Sequence, residues 1–230
     1  ISADEDAHAP ADGADLSIER QLLLLSAAVR HNAGYAPAWF AVRDQAKAGK
    51  LSLGQKTEWA TKVQQVTGRA YPDFALAVLK PMIASIDNPH QQNKLWDAAF
   101  RLFAKRIDLA AEVRMAQGQL WEKAGEARRA GKCYEDVIRR FANGGPFVIE
   151  ALAKTEAMLI EAGREKNVVR LYATTFKRLK APTGMAGDFA TQSNYYQVGM
   201  RYAEKLAESG DEKTAEQVRN EIHQKLGLAG

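Results

Sequence analysis

The chain has 230 residues, 46% of them apolar and 26% charged. These proportions are near those of an ordinary globular protein, so the chain can bury a core and disorder is excluded as its default state. One cysteine, Cys133, excludes an internal disulfide and a thiolate metal site, no apolar run approaches the ~20 residues of a membrane-spanning helix, and the net charge of +4 is uneven, because Asp4, Glu5, Asp6, Asp12 and Asp15 precede a basic remainder.

Residues 1–14 are acidic, contain Pro and Gly, and lack periodic apolar positions, which predicts a flexible tail or linker. The start at Ile1-Ser2-Ala3 reads either as the remnant of a signal cleavage site or as a boundary within a larger protein. Cytoplasmic and exported locations therefore both stay open. From Asp15, placed as an N-cap, Leu16, Leu22, Leu23, Leu25, Ala28 and Val29 form one helical face that ends at Asn32 and Gly34.

A dense series of helices follows. Pro37 opens one that Gly49 stops, and Ser52 begins the next, ended by Gly68. Residues 72–86 form another, which Pro81 should kink or split. Asn88-Pro89 starts a helix to about residue 106, with Leu95, Trp96, Ala99, Phe100 and Phe103 on its apolar side, and Asp108 is the expected N-cap of a helix to about 124. Further helices are expected over 126–142, 147–162, 164–180, 189–209 and 211–226, with breaks at Gly125, at 143–146, at Gly163, at 181–184 and at Gly210. No stretch alternates at period two, so no sheet is expected. Helices joined by such short turns lie antiparallel to their neighbours. The expected fold class is all-α, about ten helices in antiparallel pairs. The expected divisions are the tail, a helical half over 15–107 made of divergent hairpins, and a more regular half over 108–230.

Residues 111–141 carry the clearest pattern. Gly118 and Trp121 supply a small residue and an aromatic on one helix, Gly125 sits at the turn, and Ala130, Tyr134 and Val137 follow on the next. Small residues allow two helices to approach closely, aromatics fill the space between pairs, and a glycine tolerates positive φ at a tight turn. In these positions the segment resembles a tetratricopeptide repeat. Two looser copies follow: Leu159, Gly163, Val168 and Tyr172, with Glu156 where the small residue belongs, and Ala203, Leu206, Gly210, Ala215 and Ile222, with Arg219 in place of the aromatic. Their glycines are spaced more widely than the family period of about 34 residues. The resemblance covers roughly residues 108–227 and implies helix pairs stacked as a superhelix, with a concave groove lined by the first helix of each pair.

The family's groove positions fall on Met115, Gln119 and Glu122, with Glu112 and Lys123; on Ala157 and Ile160, with Glu150, Ala153 and Glu161; and on Met200 and Glu204, with Gln197 and Glu208. The Lys and Asn pair with which some members clamp a C-terminal carboxylate is absent. A mixed acidic and apolar groove suits an amphipathic protein or peptide segment. Arg128, Arg129, Lys132, Arg139 and Arg140 on one second helix, and Arg164, Lys166, Arg170, Lys177, Arg178 and Lys180 on another, offer a basic convex face, with nucleic acid as the alternative partner. Glu126, Glu135 and Asp136 interrupt the first of these stripes.

His8, His31, His90 and His223 stand at no metal-ligand spacing, and Cys133 beside Tyr134 reads as a buried thiol. In the loop before the penultimate helix, Asp188 is expected to cap and Phe189 to pack inward, and Tyr195, Tyr196, Arg201 and Tyr202 form a further candidate surface. No nucleophile, phosphate-binding or dinucleotide motif occurs. The expectation is a scaffold for protein–protein interaction, with no cofactor and no enzymatic activity, and a nucleic-acid-binding helical repeat as the rival.

Overall fold

The computed structural model describes residues 17–183 and 188–228. Over these residues the chain is all-α, with twelve α-helices, one 3-10 turn and no strand. The acidic segment 1–14 and the expected cap Asp15 lie outside the described residues. The chain divides into two compact units, at Ile86/Asp87. The division expected from the sequence, 107/108, lies one helix later.

The first unit holds α1 (Ile18–His31), α2 (Ala36–Lys47), α3 (Leu53–Val66) and α4 (Pro72–Ala84). Ser17 caps α1, accepting from the Arg20 amide. Ser52 and Gln55 form a reciprocal capping box at α3, which satisfies two amides that a helix start leaves without partners. Trp39 and Trp59 meet edge to face in the core at 5.8 Å, with Val42, Val63, Leu79 and Met82 buried in the same unit. Pro81 does not split α4. It stands in the last turn, and Ala77, whose carbonyl loses its donor four residues on, is exposed.

The second unit comprises α5 (Pro89–Phe103), α6 (Ile107–Lys123), α7 (Ala127–Arg140), α8 (Phe147–Glu161), a 3-10 turn (Glu165–Asn167), α9 (Val168–Phe176), α10 (Asp188–Thr191), α11 (Asn194–Glu208) and α12 (Glu212–Leu226). Consecutive long helices pack on each other, and α6 also meets α8 as α8 meets α11. Helix α5 belongs here because Trp121 of α6 is buried against it. The Trp121 indole donates to Asn93 at 3.2 Å, and its ring lies 5.3 Å from that of His90. Asp108 is not the cap of α6, which begins one residue earlier. Asp108 sits in the first turn and pairs with Arg106 at 2.7 Å.

Three turns share one geometry. Gly125, Gly163 and Gly210 have φ of 76°, 66° and 91°, and after each the next amide reaches back across the turn: Glu126 to Trp121, Arg164 to Leu159 and Asp211 to Leu206, at 2.8, 2.8 and 2.9 Å. This is the left-handed helix end that glycine makes without steric cost. The expectation for Gly125 therefore holds, and it extends to the two looser copies.

The expected helix 189–209 is broken at Gln192-Ser193, where the Ser193 hydroxyl accepts from the Tyr196 amide and starts α11. Phe189 is 72% exposed, which reverses the expectation that it packs inward.

Candidate interaction surfaces

The first helices of the three hairpins, α6, α8 and α11, are joined by polar bridges. Gln119 donates to Glu150 at 2.9 Å, and Lys154 pairs with Glu122 at 2.9 Å. Lys205 pairs with Glu156 at 3.0 Å. Each of these two glutamates also accepts from a buried tyrosine on the following second helix: Tyr134 to Glu122 and Tyr172 to Glu156, both at 2.7 Å. A Tyr–Glu–Lys relay thus occurs twice.

The electrostatics follow from these contacts. The hydrogen bond from Lys154, and then that from Tyr134, hold the Glu122 carboxyl below its ordinary value. Burial raises the Glu156 carboxyl, but the bonds from Tyr172 and Lys205 outweigh it and the net shift is downward. Burial, and then the carboxylate of Glu156, push the Tyr172 phenol up to about 12. Burial pushes the Cys133 thiol up to about 11, which leaves it protonated and inert at neutral pH.

The sequence-derived groove residues divide. Ala157 and Ile160 are exposed on α8, Ile160 by 49%, and Glu204 is exposed on α11. Gln119 and Glu122 are exposed but engaged in the bridges to α8. Met200 is half-buried against the core. Met115 is a correction: it is 2% exposed and cannot line a surface. The reason is that α6 is covered by α5, α7 and α8, which bury most of its N-terminal half.

Beneath α6 lies a polar cluster that sequence reasoning missed. Gln117, 1% exposed, donates to Asn93 and Asp97 and accepts from Arg114 at 2.7 Å. Arg114 stacks on the Phe100 ring at 3.7 Å and pairs with Asp136 at 3.1 Å. A helical Gln or Arg reads as a surface residue until its partners are known. The partners here stand on two other helices.

The basic residues do not form one face. Arg129 covers the Trp121 ring at 4.5 Å and Arg140 pairs with Asp136. Arg139, Arg164, Arg170 and Arg178 instead surround a cleft of about 490 Å³ between α7 and α9, where Thr155 and Leu159 of α8 contribute to the lining. Among the described residues no group of His, Cys, Asp and Glu side chains assembles a metal site, and no helix is long and apolar enough to cross a membrane.

The chain matches no family model, no curated protein and no solved structure.

Proposed function

We propose that residues 87–230 act as a scaffold for protein–protein interaction, built from helical hairpins of the tetratricopeptide kind stacked as a superhelix, and that a protein or peptide segment lies against α6, α8 and α11. The observation that carries this is the surface of α8. Ala153, Ala157 and Ile160 are exposed in one stripe at helical spacing, beside the carboxylates Glu150 and Glu161, while the longer side chains of the neighbouring helices are tied into bridges at its edge. An exposed apolar stripe with an acidic margin suits a basic amphipathic segment, because burial of the apolar area drives association and the charges set its register. The three matching glycine turns and the contacts of α6 with α8 and of α8 with α11 support the repeat reading.

The test is capture of partners by the purified chain from a lysate of the source organism, with and without nuclease. A partner that survives nuclease and is lost on Ala157→Arg or Ile160→Asp is the expected result. Both positions are exposed, so the variants should fold. Capture that ignores both changes, or that yields nucleic acid in place of protein, overturns the proposal.

A further inference from the structure

The cleft between α7 and α9 lies on the side of α8 away from Ala157. Residues 155 and 159 flank residue 157 in sequence, and 3.6 residues per turn send them to the opposite side of the helix. The floor is apolar: Ile138 is buried, and Leu159 and Leu171 are half-buried. The rim is cationic. Arg139 is neutralised by Glu135 at 2.7 Å, but Arg164, Arg170 and Arg178 form no ion pair among the described residues. What sets the cleft apart is that three such guanidiniums gather around one concave apolar floor.

From this geometry we infer that the cleft is a second docking site, and that it takes an acidic amphipathic helix. Arg170 stands in α9 and Arg178 two residues past its end, so their Cα atoms are separated by about two helical turns, roughly 12 Å at most. Carboxylates two turns apart on a bound helix span the same distance, and guanidinium groups bind carboxylates in paired hydrogen bonds. Apolar side chains between those carboxylates meet Ile138, Leu159 and Leu171. Single-stranded nucleic acid is the poorer fit, since its binders combine cations with aromatic platforms and no aromatic ring lines this cleft. The site shares no residue with the α8 stripe, so either proposal can fail alone.

The test uses the full chain and fluorescence anisotropy. The probes are a fluorescein-labelled helical peptide with leucines on one face and glutamates about two turns apart, the same peptide with glutamine for glutamate, and a labelled single-stranded oligonucleotide. Two kinds of variant are informative. Arg170→Glu with Arg178→Glu reverses two exposed charges that have no ion pair among the described residues and should leave the thermal melt unchanged. Gly131→Leu fills the cleft; a Cβ there meets only the Met158 sulfur at 3.6 Å, an ordinary contact. The glutamate peptide should bind, and should weaken at least about tenfold in the glutamine form and in either variant. Equal binding of the two peptides, absence of binding, or binding of the oligonucleotide alone would each overturn the inference.

Discussion

Gly118 of α6 lies directly against the Tyr134 ring of α7, and its replacement by alanine gives a sharp test of the packing. A Cβ at Gly118 would fall within 3.0 Å of three atoms of the Tyr134 ring, Cδ1, Cε1 and Cζ. That ring is fully buried and anchored by its hydroxyl to Glu122, so it cannot swing aside. Three terms compete. Alanine gains about 1 kcal/mol over glycine in a helix interior. Overpacking costs about 1–3 kcal/mol. Displacing the tyrosine loses a hydrogen bond to a carboxylate that is itself part exposed, about 1 kcal/mol after allowance for solvent. Steric cost wins, and the variant should be less stable by about 2 kcal/mol, or about 4–8 °C in a thermal melt of the second unit. Gly54→Ala in α3 is the control: its Cβ would meet only the Ser52 hydroxyl at 3.9 Å, so the melt should rise slightly. Tyr134→Leu in the Gly118→Ala background should cost less than the sum of the single changes, since a smaller side chain makes room. If Gly118→Ala melts at or above the wild-type temperature, the close approach of α6 and α7 is refuted.

Other consequences are as direct. Met115→Glu buries a charge in the core and should unfold the second unit, whereas Ile160→Glu should leave circular dichroism and the melt unchanged. Arg114→Met takes the cation from Gln117, Asp97 and Asp136 and should cost about 1–2 kcal/mol in urea titration, because the buried Gln117 carbonyl loses its donor while the two carboxylates are part exposed and Asp136 keeps Arg140. The Glu156 carboxyl titrates lower in the folded chain than its ordinary 4.5. Its contribution is complete above that value and is lost as the pH falls through the lower folded one, so the melting temperatures of wild type and Glu156→Gln should converge only in that acid range.

What could be read from the sequence was what local chemistry determines. Gly125, Ala130 and Val137 announce a turn and the buried face of a helix by type and spacing alone, and the turn and both burials hold. Asn88-Pro89 marked the start of α5 for the same reason, an acceptor side chain followed by a residue without an amide proton. Failures came where tertiary partners decide. Met115 was carried to a groove by the register of a repeat, but α5 covers α6 and leaves no free face there. Asp108 has the chemistry of a cap, yet Arg106 beside it offers a stronger partner in the first turn. Phe189 is apolar and still exposed, because α10 is four residues long and breaks before α11 begins.

On the repeat reading proposed above, the recurring Tyr–Glu–Lys relay supplies a means of holding loosely matched hairpins in register. Glu156 occupies a position where a small residue was expected, and a carboxylate between packed helices would ordinarily be costly. Here Tyr172 donates from the second helix of the same hairpin and Lys205 from the first helix of the next, so the charge is matched within the interface. Glu122, Tyr134 and Lys154 do the same one hairpin earlier, with Gly118 admitting the tyrosine ring. Each relay ties a first helix both to its own partner and to the next first helix. Those are the two spacings that a stack of hairpins must hold constant. The hairpins can then tolerate connections of unequal length, such as that between α9 and α11, because register is held by side chains that cross between helices and not by a constant period in the chain. The same bridges occupy the long side chains at the edge of α8 and leave Ala153, Ala157 and Ile160 as its uncovered centre. A partner seated there would displace little but water, which is why substitution at Ile160 should report on binding while substitution at Glu122 or Lys154 would report on both binding and fold.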